Sequence, residues 1–247
     1  MNKKFWLLIA LLLLPFVAHA QGIPAISVSG GDGGQGTRYN LSLELVALMT
    51  AITLLPSLLL SMTPFIRIII VMSLLRQALG TGQTPPNQVL VGLSLFLTFF
   101  IMSPILNKVY DEAVVPYMNN TLPADKALTT AQEPIRSFML KQTRQEEIAA
   151  FVQISGKGPV ADASEVPFST LVPAFIISEL KSAFTIGFLI YIPFVVIDLI
   201  VSSVLMSMGM MMLSPMMISM PFKLMLFVLV DGWSMLMGSL ASSFAMP

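Results

Sequence analysis

Between Ser182 and Ala245 the chain runs for 64 residues with only three charged side chains, Asp198, Lys223 and Asp231. About 20 predominantly apolar residues suffice to cross a bilayer as a helix. The stretch therefore has room for two crossings, and the glycine and proline between Gly209 and Pro221 place the turn there. In hydrocarbon every backbone group needs an internal partner, which a helix supplies. The same bias holds throughout: 55% of residues are hydrophobic and 11% charged, against roughly 25% charged in average chains. That excludes a soluble globular domain. A net charge of zero, with no basic run beyond Lys3-Lys4, leaves no electrostatic footprint for nucleic acid. With no cysteine, disulfides, thiolate nucleophiles and cysteine metal sites are excluded together.

The first residues read as a secretory leader. Lys3-Lys4 are a basic start, Phe5 to Val17 an apolar core, and Ala18-His19-Ala20 a small-x-small cleavage pattern. Cleavage is expected after Ala20. It removes His19, the only histidine, so the mature chain has neither His nor Cys. Residues 21–43, with Gly30-Gly31 and Gly33-Gly34, form a flexible Gly-rich lead-in.

Residues 44–106 are expected to form a first hydrophobic helical hairpin. Glu44 and Arg67 bracket 22 uncharged residues, with Pro56 expected to bend the helix. The sequence from Gly80 to Pro86 is a break and lacks the Gly-Lys-Ser/Thr of a phosphate-binding loop. A second span follows from Asn87 to about Leu106. Residues 107–167 hold most of the charge and are expected to form a small helical extramembrane domain. Pro134 is expected to start a helix there, with Ile135, Phe138, Met139, Ile148, Phe151 and Val152 on its apolar face. Arg136, Lys141, Arg144, Glu146 and Glu147 then occupy the other face. Residues 168–247 form a second hydrophobic hairpin. The fold class is all-α, of the integral membrane type. A cleaved leader puts the mature N-terminus outside the cytoplasm, a loop carrying Arg67 and Arg76 inside, the 107–167 domain in the periplasm, and residues 210–212 toward the cytoplasm. The short basic loop agrees with the positive-inside rule.

Charges inside apolar segments cost roughly 2.5 to 3.5 kcal/mol each on insertion scales. Asp198 and Asp231 are either proton carriers or partners of Lys223 or of cations on neighbouring subunits. Glu179 and Lys181, beside apolar Phe175, Ile176 and Phe184, read as a solvated face at a membrane boundary. Neither aspartate lies in the Gly-x-Gly-Asp setting of an intramembrane aspartyl protease, and a rhomboid-type serine protease needs a histidine. No inverted repeat of the transporter kind is visible. An ion or small-molecule transporter coupling through Asp198 and Asp231 nonetheless remains the alternative function.

Met208-Gly209-Met210-Met211-Met212 belongs to a C-terminal concentration holding twelve of the nineteen methionines. Gly209 and Pro215 place Met210, Met211 and Met212 on a loop. Methionine is flexible and polarizable, so the cluster is either a deformable seal or a plain substitute for leucine in an apolar segment.

Val172-Pro173-Ala174-Phe175-Ile176-Ile177-Ser178-Glu179-Leu180-Lys181-Ser182-Ala183-Phe184 closely resembles a signature of the flagellar biosynthetic FliP family, part of the type III export gate with counterparts in virulence injectisomes. Ile192 to Leu199, Pro221 to Trp233, Arg67 to Thr81 and Pro85-Pro86-Asn87-Gln88 resemble the same family, in the same order. Thr185 departs from its pattern, which has a longer polar or charged side chain there. The resemblance implies a non-enzymatic subunit without cofactor or metal, in the bacterial inner membrane at the flagellar basal body. It implies a homo-oligomeric ring, a pentamer, assembled with FliQ, FliR and other export-apparatus proteins, through which unfolded flagellar polypeptides pass. It also implies that Met210, Met211 and Met212 close that pore as a gasket, and that Glu179, Lys181, Asp198, Lys223 and Asp231 serve assembly or buried charge pairing.

Overall fold

The computed structural model describes residues 43–156, 166–210 and 212–244. The expected leader with its cleavage point at Ala20, most of the Gly-rich lead-in, and Met211 lie outside the described residues. Contacts divide the chain at Pro56, so residues 43–56 form part of one unit and residues from 57 onward the other. Among the described residues the elements are all helical: α1 (Leu43–Ser61), α2 (Phe65–Leu79), α3 (Asn87–Val109), a π-helical turn (Tyr110–Val114), α4 (Val115–Met118), α5 (Ala124–Gln142), α6 (Gln145–Ile154), α7 (Phe168–Ser207), α8 (Pro215–Leu229) and α9 (Gly232–Ser242).

Pro56 does not end α1; the helix continues to Ser61 and the chain breaks at residues 62–64. An isolated proline removes one amide donor, whereas Thr63 is pushed out of the helical region by Pro64. The Thr63 hydroxyl accepts the Phe65 amide at 3.4 Å, and α2 starts there. Arg67 and Arg76, expected on a loop, are both within α2. Gly80 ends α2 at φ 74°, the left-handed conformation glycine adopts without a Cβ clash.

The helix that begins at Asn87 continues past Leu106 to Met118. Its register slips once, where the Val115 amide bonds the Tyr110 carbonyl. Pro116, next along, has no amide to offer and its ring crowds the carbonyl four residues back. In the charged region Pro134 lies inside α5, which begins ten residues earlier at Ala124. The expected single helix is two, broken at Thr143-Arg144, where Ser178 of α7 accepts the Arg144 amide at 3.1 Å. Phe138, Met139 and Val152 of the expected apolar face are buried. Glu147, expected on the polar face, is buried as well.

Helix α7 has 40 residues, about 60 Å at 1.5 Å per residue. That is about twice the hydrocarbon thickness of a bilayer. Two apolar cores lie along it. Phe138, Met139, Leu171, Phe175, Met102 and Phe244 form one near its start. Ile68, Val71, Met72, Leu75, Ala183, Phe194 and Phe227 are central to the other. Asn87–Met118 and α7 are each long and apolar enough to cross a membrane; α1 with α2 and α8 with α9 are broken pairs that pass the same test together. The second pair bends by 63° at Asp231, whose φ of 50° is left-handed.

Candidate functional site

Three charged residues of α7 each reach a different helix. Glu179, one turn beyond Phe175 and one before Ala183, sits at the seam between the two cores and is fully buried. Its carboxylate accepts two parallel bonds from one edge of the Arg67 guanidinium of α2, the Nε–Oε2 bond being 2.9 Å and the second bond joining Nη2 to Oε1. Planar bidentate pairing is the strongest arrangement these groups make. Arg67 also donates to Ser243 at 3.1 Å and stacks 3.9 Å from the Phe244 ring centroid. One guanidinium therefore ties α2, α7 and the C-terminal end together. Phe244 in turn packs on Phe138 at 6.3 Å, and Phe138 meets Phe175 edge-on at 6.0 Å.

Lys181 is on the open side of α7 but pairs with the buried Glu147 of α6. The charged segment is thereby tied to the start of the long helix. Ser178, also buried, donates to the Gln142 carbonyl. Thr185 bonds back to the Lys181 carbonyl at 2.8 Å within its own helix.

Asp198 and Lys223 meet between α7 and α8. Lys223 is 2% exposed; its Nζ donates to Asp198 Oδ2 at 2.6 Å and to the Ala78 carbonyl at 3.1 Å. The carbonyl belongs to the last turn of α2, where the helix dipole favours a cation. Ser219 donates to the other Asp198 oxygen. The cluster is asymmetric, because the Asp198 side chain keeps 31% exposure while that of Lys223 has 3%. Asp198→Ala is therefore expected to strand a buried ammonium and cost about 3 kcal/mol or more. Lys223→Met leaves the carboxylate in reach of water and should lower the thermal midpoint of the detergent-purified chain less. Equal midpoints would show that burial does not set the cost. Asp231, eight residues beyond Lys223, does not share its helix, because α8 ends between them; it is exposed, and its side chain has no ion-pair partner among the described residues.

The methionine loop is shaped by its backbone. At the end of α7, Gly209 at φ 77° donates to the Met206 carbonyl and Met210 to that of Leu205, both at 3.0 Å. This paired closure satisfies the last carbonyls and turns the chain out of the helix. Ser214 and Pro215 start α8, proline serving at the first helical position. Between the two helices Met210 is 44% and Met212 101% exposed. Pro221, offered as the far limit of the turn, lies inside α8.

Of the ion-paired residues, Arg67 and Glu147 are two that the sequence pattern misassigned, one to a loop and the other to a polar face. Arg67 had a usable signal, an isolated charge in an apolar run, which marks a buried partner. Glu147 had none, since it lies in a segment rich in charge.

Helices able to cross a membrane, held to one another by ion pairs buried among apolar side chains, define an α-helical protein of the membrane type. A sequence profile of the FliP family matches residues 48–240. The flagellar biosynthetic protein FliP of Cereibacter sphaeroides is 56% identical over 233 residues, covering 94% of this chain and 77% of the relative. That of Pectobacterium carotovorum is 51% identical over 98% of this chain and 93% of the relative, and that of Bacillus subtilis 52% identical over 82% and 92%. The chain belongs to the FliP family.

Proposed function

We propose that the chain is a non-enzymatic core subunit of the flagellar type III protein export gate. Copies of it form a ring, a pentamer, with FliQ and FliR in the bacterial inner membrane at the flagellar basal body. The hairpins 44–106 and 168–247 build the ring, and residues 107–167 are its periplasmic domain. Unfolded flagellar polypeptides pass through the centre. The observation that carries this reading is the exposed methionine loop at the end of a 40-residue helix. Repeated around an axis, such loops make a dry apolar constriction, which excludes ions by dewetting. Methionine conforms to passing chains of varied sequence because it imposes little shape and few hydrogen-bond demands.

Replacing Met210, Met211 and Met212 by Ala should make membranes containing the assembled gate permeable to small solutes while the ring still assembles. Assembly is read by native mass spectrometry of the detergent-extracted complex. A sealed membrane around the assembled variant would remove the gasket role. A monomer or simple dimer without FliQ and FliR would favour a small-molecule transporter instead. The pairing of Asp198 with Lys223 supports a structural role for that carboxylate over a proton-carrying one.

A further inference from the structure

Among the described methionines, Met49, Met118, Met225 and Met235 are exposed one by one on separate stretches of helix. Met72, Met102 and Met139 are sealed in the two cores, at 0–3% exposure. Met206, Met208, Met210, Met212, Met216 and Met217 expose 44–101% of their surface and crowd into one short stretch around the turn from α7 to α8. The chain has no cysteine, so no thiol competes with these thioethers for an oxidant. We propose that residues 206–217 are an oxidation site, at which hydrogen peroxide converts exposed methionines to sulfoxides and loosens the seal. The second half of this proposal rests on the gasket reading above.

The chemistry balances with one named oxidant. A sulfur lone pair attacks one peroxide oxygen, the O–O bond breaks as an S–O bond forms, and proton transfer releases water. Sulfur loses two electrons and the peroxide gains them. Enzymatic reduction with two thiols reverses the change, returning the thioether and yielding a disulfide and water. The product is polar and a good hydrogen-bond acceptor, where the thioether was apolar and pliable. Several sulfoxides around a narrow axis would hold water in a constriction that blocks ions only while dry. The turn itself should survive oxidation. Its shape depends on backbone bonds from Gly209 to Met206 and from Met210 to Leu205, and neither involves sulfur. Oxidation therefore alters the surface chemistry of the loop and leaves its fold in place.

The test uses the assembled complex in liposomes loaded with a small dye and exposed to dilute hydrogen peroxide. Sulfoxides are located by peptide mass spectrometry and dye efflux is recorded alongside. Oxidation should be densest in residues 206–217, which hold six of the ten exposed methionines among the described residues, and spare Met72, Met102 and Met139. Efflux should rise about tenfold as the constriction wets, and fall back after treatment with both methionine sulfoxide reductases and dithiothreitol. A Met210→Leu, Met211→Leu, Met212→Leu chain, compared with its own untreated efflux, should show little response to peroxide. Sulfoxides absent from residues 206–217, or spread evenly over buried and exposed methionines, overturn the site. Sulfoxides confined to residues 206–217 with unchanged efflux overturn the gating. The alanine variant then separates the two ideas: if it leaks, the gasket reading stands without its oxidation switch, and if it is tight, both fall.

Discussion

A Glu179→Ala chain should lose about 3–5 kcal/mol of stability, the cost of removing one partner of a buried ion pair. The loss arises because the Arg67 guanidinium remains, 5% exposed, between two apolar cores. Its remaining contacts, Ser243 and the Phe244 ring, carry no opposing charge. Arg67→Ala should fall in the same range, with the added loss of packing against Phe244. Arg67→Lys should not rescue, because an ammonium cannot place two parallel donors on one carboxylate. Arg67→Met combined with Glu179→Leu should recover most of the loss, since an apolar pair of similar volume avoids the desolvation of both charges. Thermal midpoints of the detergent-purified chains and their amounts in the membrane report all four variants. A Glu179→Ala midpoint equal to that of the parent would mean that the pair does not bind α2 to α7.

The second large effect is expected at Gly187, two turns further along α7. A Cβ built there overlaps the Leu74 side chain and lies 3.2 Å from the Leu74 Cβ. The Leu74 methyl can swing aside, but its Cβ moves only with α2. Gly187→Ala should therefore cost about 1–3 kcal/mol, the usual range for overpacking. Gly187→Leu forces the helices apart and should exceed that range, because the displacement also pulls Arg67 from Glu179 on the same two helices. Leu74→Ala in the Gly187→Ala background makes room and should restore part of the midpoint. Additive losses in the double variant would show that the two residues do not share this contact.

The distribution of helices was readable because apolar runs and Gly/Pro punctuation act locally. Gly80 and Gly209 end helices where the sequence places them. Prolines were less readable, since one proline inside a long apolar helix costs a single hydrogen bond. Pro56, Pro134 and Pro221 are all internal to helices, whereas Pro64 lies in the break between α1 and α2, where the Thr63 hydroxyl accepts the Phe65 amide. The charged residues divide in the same way. Isolated Asp198 and Lys223 announced the need for partners by their apolar neighbours, whereas Glu179, two residues from Lys181, did not, and its partner is 112 residues away in sequence.

The sequence by itself determined the membrane-type helical class, the family and the position of the methionine turn, because hydrophobicity, motif order and glycine conformation are properties of contiguous residues. Tertiary structure alone decided which charge meets which: Arg67 with Glu179, Glu147 with Lys181, Asp198 with Lys223. The physical reason is burial. A charge excluded from water takes whichever opposite charge the packed helices bring within a few ångströms, and packing is set by side chains scattered over the chain, here by the seam of two cores and the close approach of Gly187 to Leu74.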